Sequence, residues 1–331
     1  WPALRLLLPR LAALIFLLCA ASFVVVLTFG GPAATTLEVA IYQSLRMDFD
    51  VSRAVTLALV QVVLCLVLVL LAGQLASPVP AEARLRTVAP PRARMGVVGM
   101  ASVVLAVLLV LPPLAALTES GITAFHLRAT LVQAFGTSVL VATLSAALSL
   151  ALAWAIALLQ VRRAAWRGFL SAVSLIGLIL PPAVLATGWF LLLRGLITGP
   201  ASSIILISCL NALMALPFCV TLLTGAISAQ MLPLDRLCAQ VGLSGWQRFR
   251  LIDGPDLMRP LAQAFLMAFV LSFGDLTAIL LLGSQGVITL PSLIASEMGQ
   301  YRAASAQGTA LLLAALCMAG ALVANRLGRR T

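Results

Sequence analysis

Apolar residues in this chain fall into runs of about twenty, and the charged residues are confined almost entirely to the gaps between them. A run of that length, rising ~1.5 Å per residue as a helix, crosses the ~30 Å hydrocarbon core of a bilayer. Eight such runs lie near Leu11–Phe29, Ala54–Leu71, Met95–Leu117, Leu131–Leu159, Leu170–Leu193, Ser203–Ile227, Pro260–Leu282 and Ala306–Asn325. Hydrophobic residues make up 62% of the chain and charged residues 9%, with a mean hydropathy of +1.14. A water-soluble core cannot hide that much apolar surface. All eight runs contain Gly, Pro, Ser or Thr, which weaken helices in water, but in lipid the backbone has no other partner for its N–H and C=O groups. A β-barrel would need short alternating strands, and the sequence has none. The expected fold class is therefore all-α, a polytopic membrane protein with about eight transmembrane helices.

The net charge of +11 comes from 21 basic residues, all of them arginine. Counted by alternating loops, 16 fall on one side of the membrane, and only Arg46, Arg53, Arg128, Arg194 and Arg302 fall on the other. The positive-inside rule makes the richer side cytoplasmic and puts both ends of the chain inside. The basic charge thus sets topology, and nucleic acid is not expected as a partner. Of six cysteines, Cys19, Cys65, Cys209, Cys219 and Cys317 sit in apolar runs and Cys238 in a cytoplasmic loop. No pair has metal-ligand spacing, so no metal site is expected. The single histidine, His126, cannot assemble a catalytic constellation, so the chain is not expected to be an enzyme. Arg5 and Arg10 before an apolar stretch imitate a secretory signal, but that stretch is too long for a signal core.

An internal pattern recurs. Trp1-Pro2, Ala21-Ser22-Phe23, Gly30-Gly31, Thr36-Leu37 and Ile41 return in order as Gly254-Pro255, Leu271-Ser272-Phe273, Gly283, Thr289-Leu290 and Ile294. Each set ends in an apolar span. The Pro- and Arg-rich stretch 76–94, with Pro78, Pro80, Pro90 and Pro91, divides the two. The expected organisation is residues 1–75 as the last two spans of a first repeat, 76–94 as a cytoplasmic linker, and 95–331 as a second repeat of six spans. A first copy of similar size would place four more spans before Trp1, so the chain reads as part of a twelve-span protein.

The cytoplasmic connection 228–259 has its own pattern. Leu234-Asp235-Arg236-Leu237-Cys238-Ala239-Gln240-Val241 reads as a short helix stopped by Gly242 in a left-handed C-cap, and Trp246–Ile252 reads as a second short helix. Gly242, followed ten residues later by Ile252 and then by Pro255, resembles the latter part of the signature loop in binding-protein-dependent ABC importer permeases. That signature runs Glu-Ala-Ala, three residues, Gly, nine residues, Ile, one residue, Leu-Pro. Its front is degenerate here, with Arg236, Leu237 and Cys238 at the Glu-Ala-Ala positions and Gly254 in place of its Leu. Leu237-Cys238, Gly242, Gly245-Trp246, Arg259–Ala264 and Ser272-Phe273-Gly274-Asp275 resemble the thiamine branch of that family, which shares the eroded signature. Ala33–Thr36, Ala40–Gln43 and Arg53-Ala54 are similar to it as well.

The resemblance implies a type I importer (MetI-like) fold, one complete permease half plus the end of a preceding half, in a bacterial inner membrane. It implies two kinds of partner, a separate ATPase dimer and a periplasmic substrate-binding protein, with no cofactor bound by this chain and ATP-Mg held by the ATPase. Asp235, Arg236, Leu237, Cys238, Gly242, Gly245, Trp246, Ile252 and Pro255 would form the loop that couples to the ATPase. The implied cargo is thiamine or its phosphates, moved from periplasm to cytoplasm. An iron(III)-type importer keeps the same mechanism with a different cargo. An ion-coupled secondary transporter is a different class, and it would not need the docking loop.

Within the spans, Asp275 is the one acid, and an intramembrane charge marks a pathway or a partner. It is expected in the outer half of its helix, where it could meet a cationic ring or bond to Ser272 or Thr277. Pro181-Pro182 should kink the fifth span beside the pathway, and Pro217 should act similarly on the sixth. Trp154, Trp189 and Phe190 are expected either to stack on cargo or to anchor at the interface.

Overall fold

The computed structural model describes residues 23–29, 35–74, 97–193, 199–242, 254–284 and 286–328, with isolated positions elsewhere. Among the described residues the structure is helical. Helices α1 (Phe23–Phe29), α2 (Leu37–Arg46) and α3 (Val51–Gln74) precede α4 (Val97–Ala124) and α5 (Ala129–Arg162). Then follow α6 (Arg167–Ile179), α7 (Pro182–Leu193), α8 (Pro200–Gln240), α9 (Gly254–Phe273), α10 (Thr277–Leu282), α11 (Leu290–Gly299) and α12 (Ala303–Gly328).

Six described helices are long and apolar enough to cross a membrane, within α3, α4, α5, α8, α9 and α12. The first expected span lies largely outside the described residues, with Phe23–Phe29 as its described end. The fifth is broken. Instead of one kinked helix, α6 stops at Ile179 and α7 restarts at Pro182, because neither proline can donate to the turn before it. Pro182 takes the first position of α7, where a missing N–H costs nothing, and the Pro181 carbonyl accepts the amides of Val184 and Leu185. The seventh expected span is interrupted too. Helix α9 ends at Phe273 and α10 begins at Thr277, so Asp275 lies in the break between them.

Helices α5, α8 and α9 form the centre. Ala146, Ala153 and Ala157 of α5 pack on Ala215, Cys219 and Leu223 of α8 and on Ala264 and Ala268 of α9. Small residues let the backbones approach closely, which replaces the hydrophobic driving force that lipid does not supply. A second cluster joins α2 and α3 to α7 and α10 through Ile41, Leu45, Ala54, Ala58, Ala183, Ala186, Ile279 and Leu282. Helix α4 is apolar all round, and Leu105, Leu108, Leu109 and Leu111 are exposed, as suits a surface bathed in lipid.

Helices α2 and α3 match α11 and α12 in order and length, a ten-residue helix followed each time by a long one. Thr36 and Thr289 occupy equivalent N-cap positions with extended backbones, and Phe49 (φ 54°) and Tyr301 (φ 58°) make left-handed turns before the long helix of each set.

Pro217 lies inside α8 and offers no N–H to the Leu213 carbonyl one turn earlier. Gly177 of α6 packs against that carbonyl, and a Cβ built on Gly177 would come within 2.3 Å of the oxygen. Gly177→Ala should therefore destabilise the protein by about 1–3 kcal/mol through overpacking. Gly136→Ala, with nothing within 4 Å of the new carbon, should be neutral or stabilising. Thermal unfolding of the detergent-solubilised variants checks both, and a Gly177→Ala protein as stable as Gly136→Ala would refute the close approach.

Candidate functional site

Broken helices inside a membrane bundle leave carbonyl and amide groups that must be buried in protein or face a cavity. The two breaks here face one cavity. A space of about 380–410 Å³ opens at each of two places, and the one of about 410 Å³ is lined by Gly177, Leu180 and Pro182 from the α6–α7 break. Its other walls are Asn211, Met214 and Phe218 of α8, with Leu271, Ser272, Asp275 and Thr277 from the α9–α10 break. Three of the four expected pathway residues, Pro182, Ser272 and Asp275, thus meet on one wall-to-wall space. Pro181 is buried behind them and serves as the acceptor that starts α7.

A hydrogen-bonded chain holds the floor of this cavity. Asn211 Nδ2 donates to Ser272 Oγ (2.9 Å), Ser272 Oγ donates to Ser145 Oγ (3.0 Å), and Ser145 Oγ donates to the Val141 carbonyl (2.7 Å). Helices α8, α9 and α5 are joined by polar bonds at one level, and each group is buried. Asn211 and Ser145 were not singled out by sequence, because one amide or hydroxyl in an apolar run carries no local signal of its partner.

Asp275 has a structural task. Its Oδ1 accepts the Thr277 amide (3.3 Å) and its Oδ2 the Ala278 amide (3.0 Å), so it caps α10 from the residue before the N-cap Leu276. Ser272 bonds to Asn211 and Ser145, leaving Thr277 as the local partner. A second acid approaches it from outside the span pattern. Glu38 of α2 is fully buried, and it lies close enough to Asp275 for the two charges to interact. The Ala183 amide faces the Glu38 carboxylate, but neither oxygen reaches hydrogen-bonding geometry. Glu38 escaped sequence reading because α2 is too short to register as a span.

The loop residues are placed unevenly. Asp235, Arg236, Leu237 and Cys238 belong to α8, which runs unbroken for 41 residues to Gln240, so the expected first short helix is the end of a long one. Pro233 precedes that segment, yet the helix runs through it, because the residues that follow it to Gln240 include strong helix formers and no second breaker. Cys238 is buried at 2% exposure, and Gly242 follows the helix with φ +75°, in the left-handed region expected of it. Gly245, Trp246 and Ile252 lie outside the described residues, and Pro255 is the second residue of α9. His126 is exposed in the α4–α5 connection. Trp154, Trp189 and Phe190 are partly buried against the core clusters. The described cysteines are all free, and no group of three or more His, Cys, Asp or Glu among the described residues could hold a metal.

Residues 147–331, more than half of the chain, match the model of a family described as binding-protein-dependent transport system inner membrane component. The chain belongs to that family. It is a multi-pass inner-membrane protein. Members named thiamine transport system permease protein ThiP are 41% identical over 98% of this chain in Brucella abortus (strain 2308), 39% over 96% in Escherichia coli (strain K12) and 35% over 96% in Haemophilus influenzae. The chain spans 62% of the length of the Brucella and Escherichia proteins and 61% of that of the Haemophilus protein. In this inner-membrane component the cavity at the two helix breaks is the candidate substrate site.

Asn keeps one of the two acceptor oxygens, so Asp275→Asn should lose about half as much stability as Asp275→Ala, which should lose about 1 kcal/mol. Thermal unfolding separates the cap from the charge; equal losses in both variants would show that the carboxylate does more for the fold than cap α10.

Proposed function

We propose that this chain is the membrane-spanning part of an ATP-driven importer for thiamine or its phosphates, powered by a separate ATPase and loaded by a periplasmic substrate-binding protein. The observation that carries the reading is the match along nearly the whole chain to proteins named for thiamine transport. The cavity fits it chemically. Thiamine carries a permanently positive ring, and the site offers the Asp275 carboxylate, an amide, a hydroxyl and the Phe218 ring on an apolar background.

The matching order of α2–α3 and α11–α12 supports a duplicated architecture, with residues 1–75 ending a first permease repeat and 95–331 forming a second. Both ends of the chain are placed in the cytoplasm by the arginine count. The loop after α8 is the ATPase-coupling element in this reading. Asp235, Arg236, Leu237 and Cys238 form its rigid stem, Gly242 the turn, and Gly245, Trp246, Ile252 and Pro255 the rest of its surface.

Two measurements test the proposal in cells that lack their own thiamine uptake and carry the full-length permease, its ATPase and its binding protein. Labelled thiamine should accumulate with the wild-type permease, and Asp275→Asn should lower uptake by at least tenfold with the protein still inserted. Gly242→Trp should abolish coupled uptake or ATPase association, since a bulky side chain is strained at φ +75° and crowds the docking turn. Thiamine accumulation that is absent in the wild type sinks the cargo assignment, and normal uptake by Gly242→Trp sinks the role of the loop.

A further inference from the structure

A second open cleft, of about 380 Å³, lies between α2 and the α10–α11 connection and has no part in the cation site. Its lining includes Tyr42, Arg46 and Met47 on one side and Ile279, Gly283 and Ser284 on the other. Arg46 projects from the last turn of α2. Its Nε donates to the Leu280 carbonyl (3.0 Å) and its Nη2 to the Gly283 carbonyl (2.5 Å), the free acceptors at the C-terminal end of α10. Those bonds fix the plane of the guanidinium and leave its other N–H groups uncommitted. The ion pairs among the described residues are Arg53 with Asp48 and Arg128 with Glu297, so Arg46 has no carboxylate partner there.

A half-buried guanidinium held only by neutral carbonyls, at the wall of an open cleft, has its positive charge unanswered. The same cleft holds an unanswered hydroxyl. Ser284 Oγ is buried and makes no hydrogen bond. The Tyr42 ring completes a wall on which a planar group can rest. A fixed guanidinium and a free hydroxyl together match an oxyanion with several acceptor oxygens, and among small-molecule groups a phosphoryl group fits that pattern best.

We infer that Arg46 and Ser284 form a phosphoryl-binding subsite in the cleft between α2 and α10, which reads the phosphate end of a phosphorylated cargo. The inference rests on the transport reading above and deepens it. The cation would be met at Asp275 and the phosphate at Arg46, two subsites of opposite sign that meet at the short helix α10, one at each end. The unphosphorylated cation would need only the first.

The test uses the full-length permease with its ATPase and binding protein in proteoliposomes, with labelled thiamine and labelled thiamine diphosphate as cargoes. Arg46→Gln and Ser284→Ala should each lower uptake of the diphosphate at least tenfold, and uptake of thiamine should stay within twofold of wild type. Equal losses for both cargoes make Arg46 a strut between helices and overturn the subsite, and unchanged uptake of both overturns it as well. Ser284→Ala removes an unpartnered hydroxyl and so keeps the test independent of any folding defect in Arg46→Gln. Where wild-type protein takes up neither cargo, the transport reading fails by itself, and calorimetric binding of inorganic diphosphate to the purified complex decides the subsite. Binding weakened tenfold by Ser284→Ala supports it, while absent or undiminished binding refutes it.

Discussion

Every backbone N–H and C=O that a proline or a helix end frees inside a bilayer has to be answered by protein, and the centre of this molecule is arranged around that constraint. The α6–α7 break is closed by the Pro181 carbonyl, which takes two amides of the next turn. The α9–α10 break is closed by Asp275, which takes two more. The Leu213 carbonyl, deprived of its donor by Pro217, is packed under Gly177, where any larger residue would collide. At the far end of α10 the loose carbonyls of Leu280 and Gly283 are taken by Arg46. Four interruptions converge on one region, and the cavities are what they enclose.

The same constraint explains why the polar groups lie where they do. An alanine-lined packing surface between α5, α8 and α9 is inexpensive in lipid, because close backbone approach gives dispersion contacts without polar atoms. Beside the cavity that surface gives way to Ser145, Asn211 and Ser272, bonded in series across all three helices. Such a chain fixes the helices at one depth and in one rotation, since each partner is satisfied only there. Below it, Thr224 bonds to Gln160, whose backbone carbonyl in turn takes Arg167 of α6. The bundle is thus pinned by polar bonds at two levels, with small apolar residues between.

How much of this could be read from the residues depended on whether the signal was local. Long helices announced themselves through unbroken apolar length, and Gly242 through its place after the last helix former. The prolines at 181 and 182 pointed to an interruption in the right span, but not to a complete restart, because sequence cannot tell a kink from a break without knowing whether the Pro181 carbonyl finds new donors. The segment 234–241 read as a separate helix only because charge enters there. Charge alone does not stop a helix, and Pro233 just ahead of the segment is carried inside α8 without ending it. Glu38, Arg46, Asn211 and Ser145 act through partners distant in sequence, so no window of residues could have joined them.

The continuity of α8 bears on how work done by a partner ATPase could reach the cavity. From Asn211 to Gln240 the helix is unbroken and about 43 Å long at 1.5 Å per residue. Two short docking helices hinged to a span would lose part of any displacement at the hinge. A single helix instead carries it along its whole length, so tilting its Gln240 end moves Asn211 directly. Asn211 is bonded to Ser272, and Ser272 stands three residues before Asp275, so the floor of the cavity and the cap of α10 shift with it. In the proposed importer α8 is therefore a lever whose two ends are the coupling turn at Gly242 and the substrate cavity. Two prolines interrupt its backbone bonding, Pro233 near the coupling turn and Pro217 six residues from Asn211, and at the second Gly177 of the neighbouring helix packs against the uncovered carbonyl.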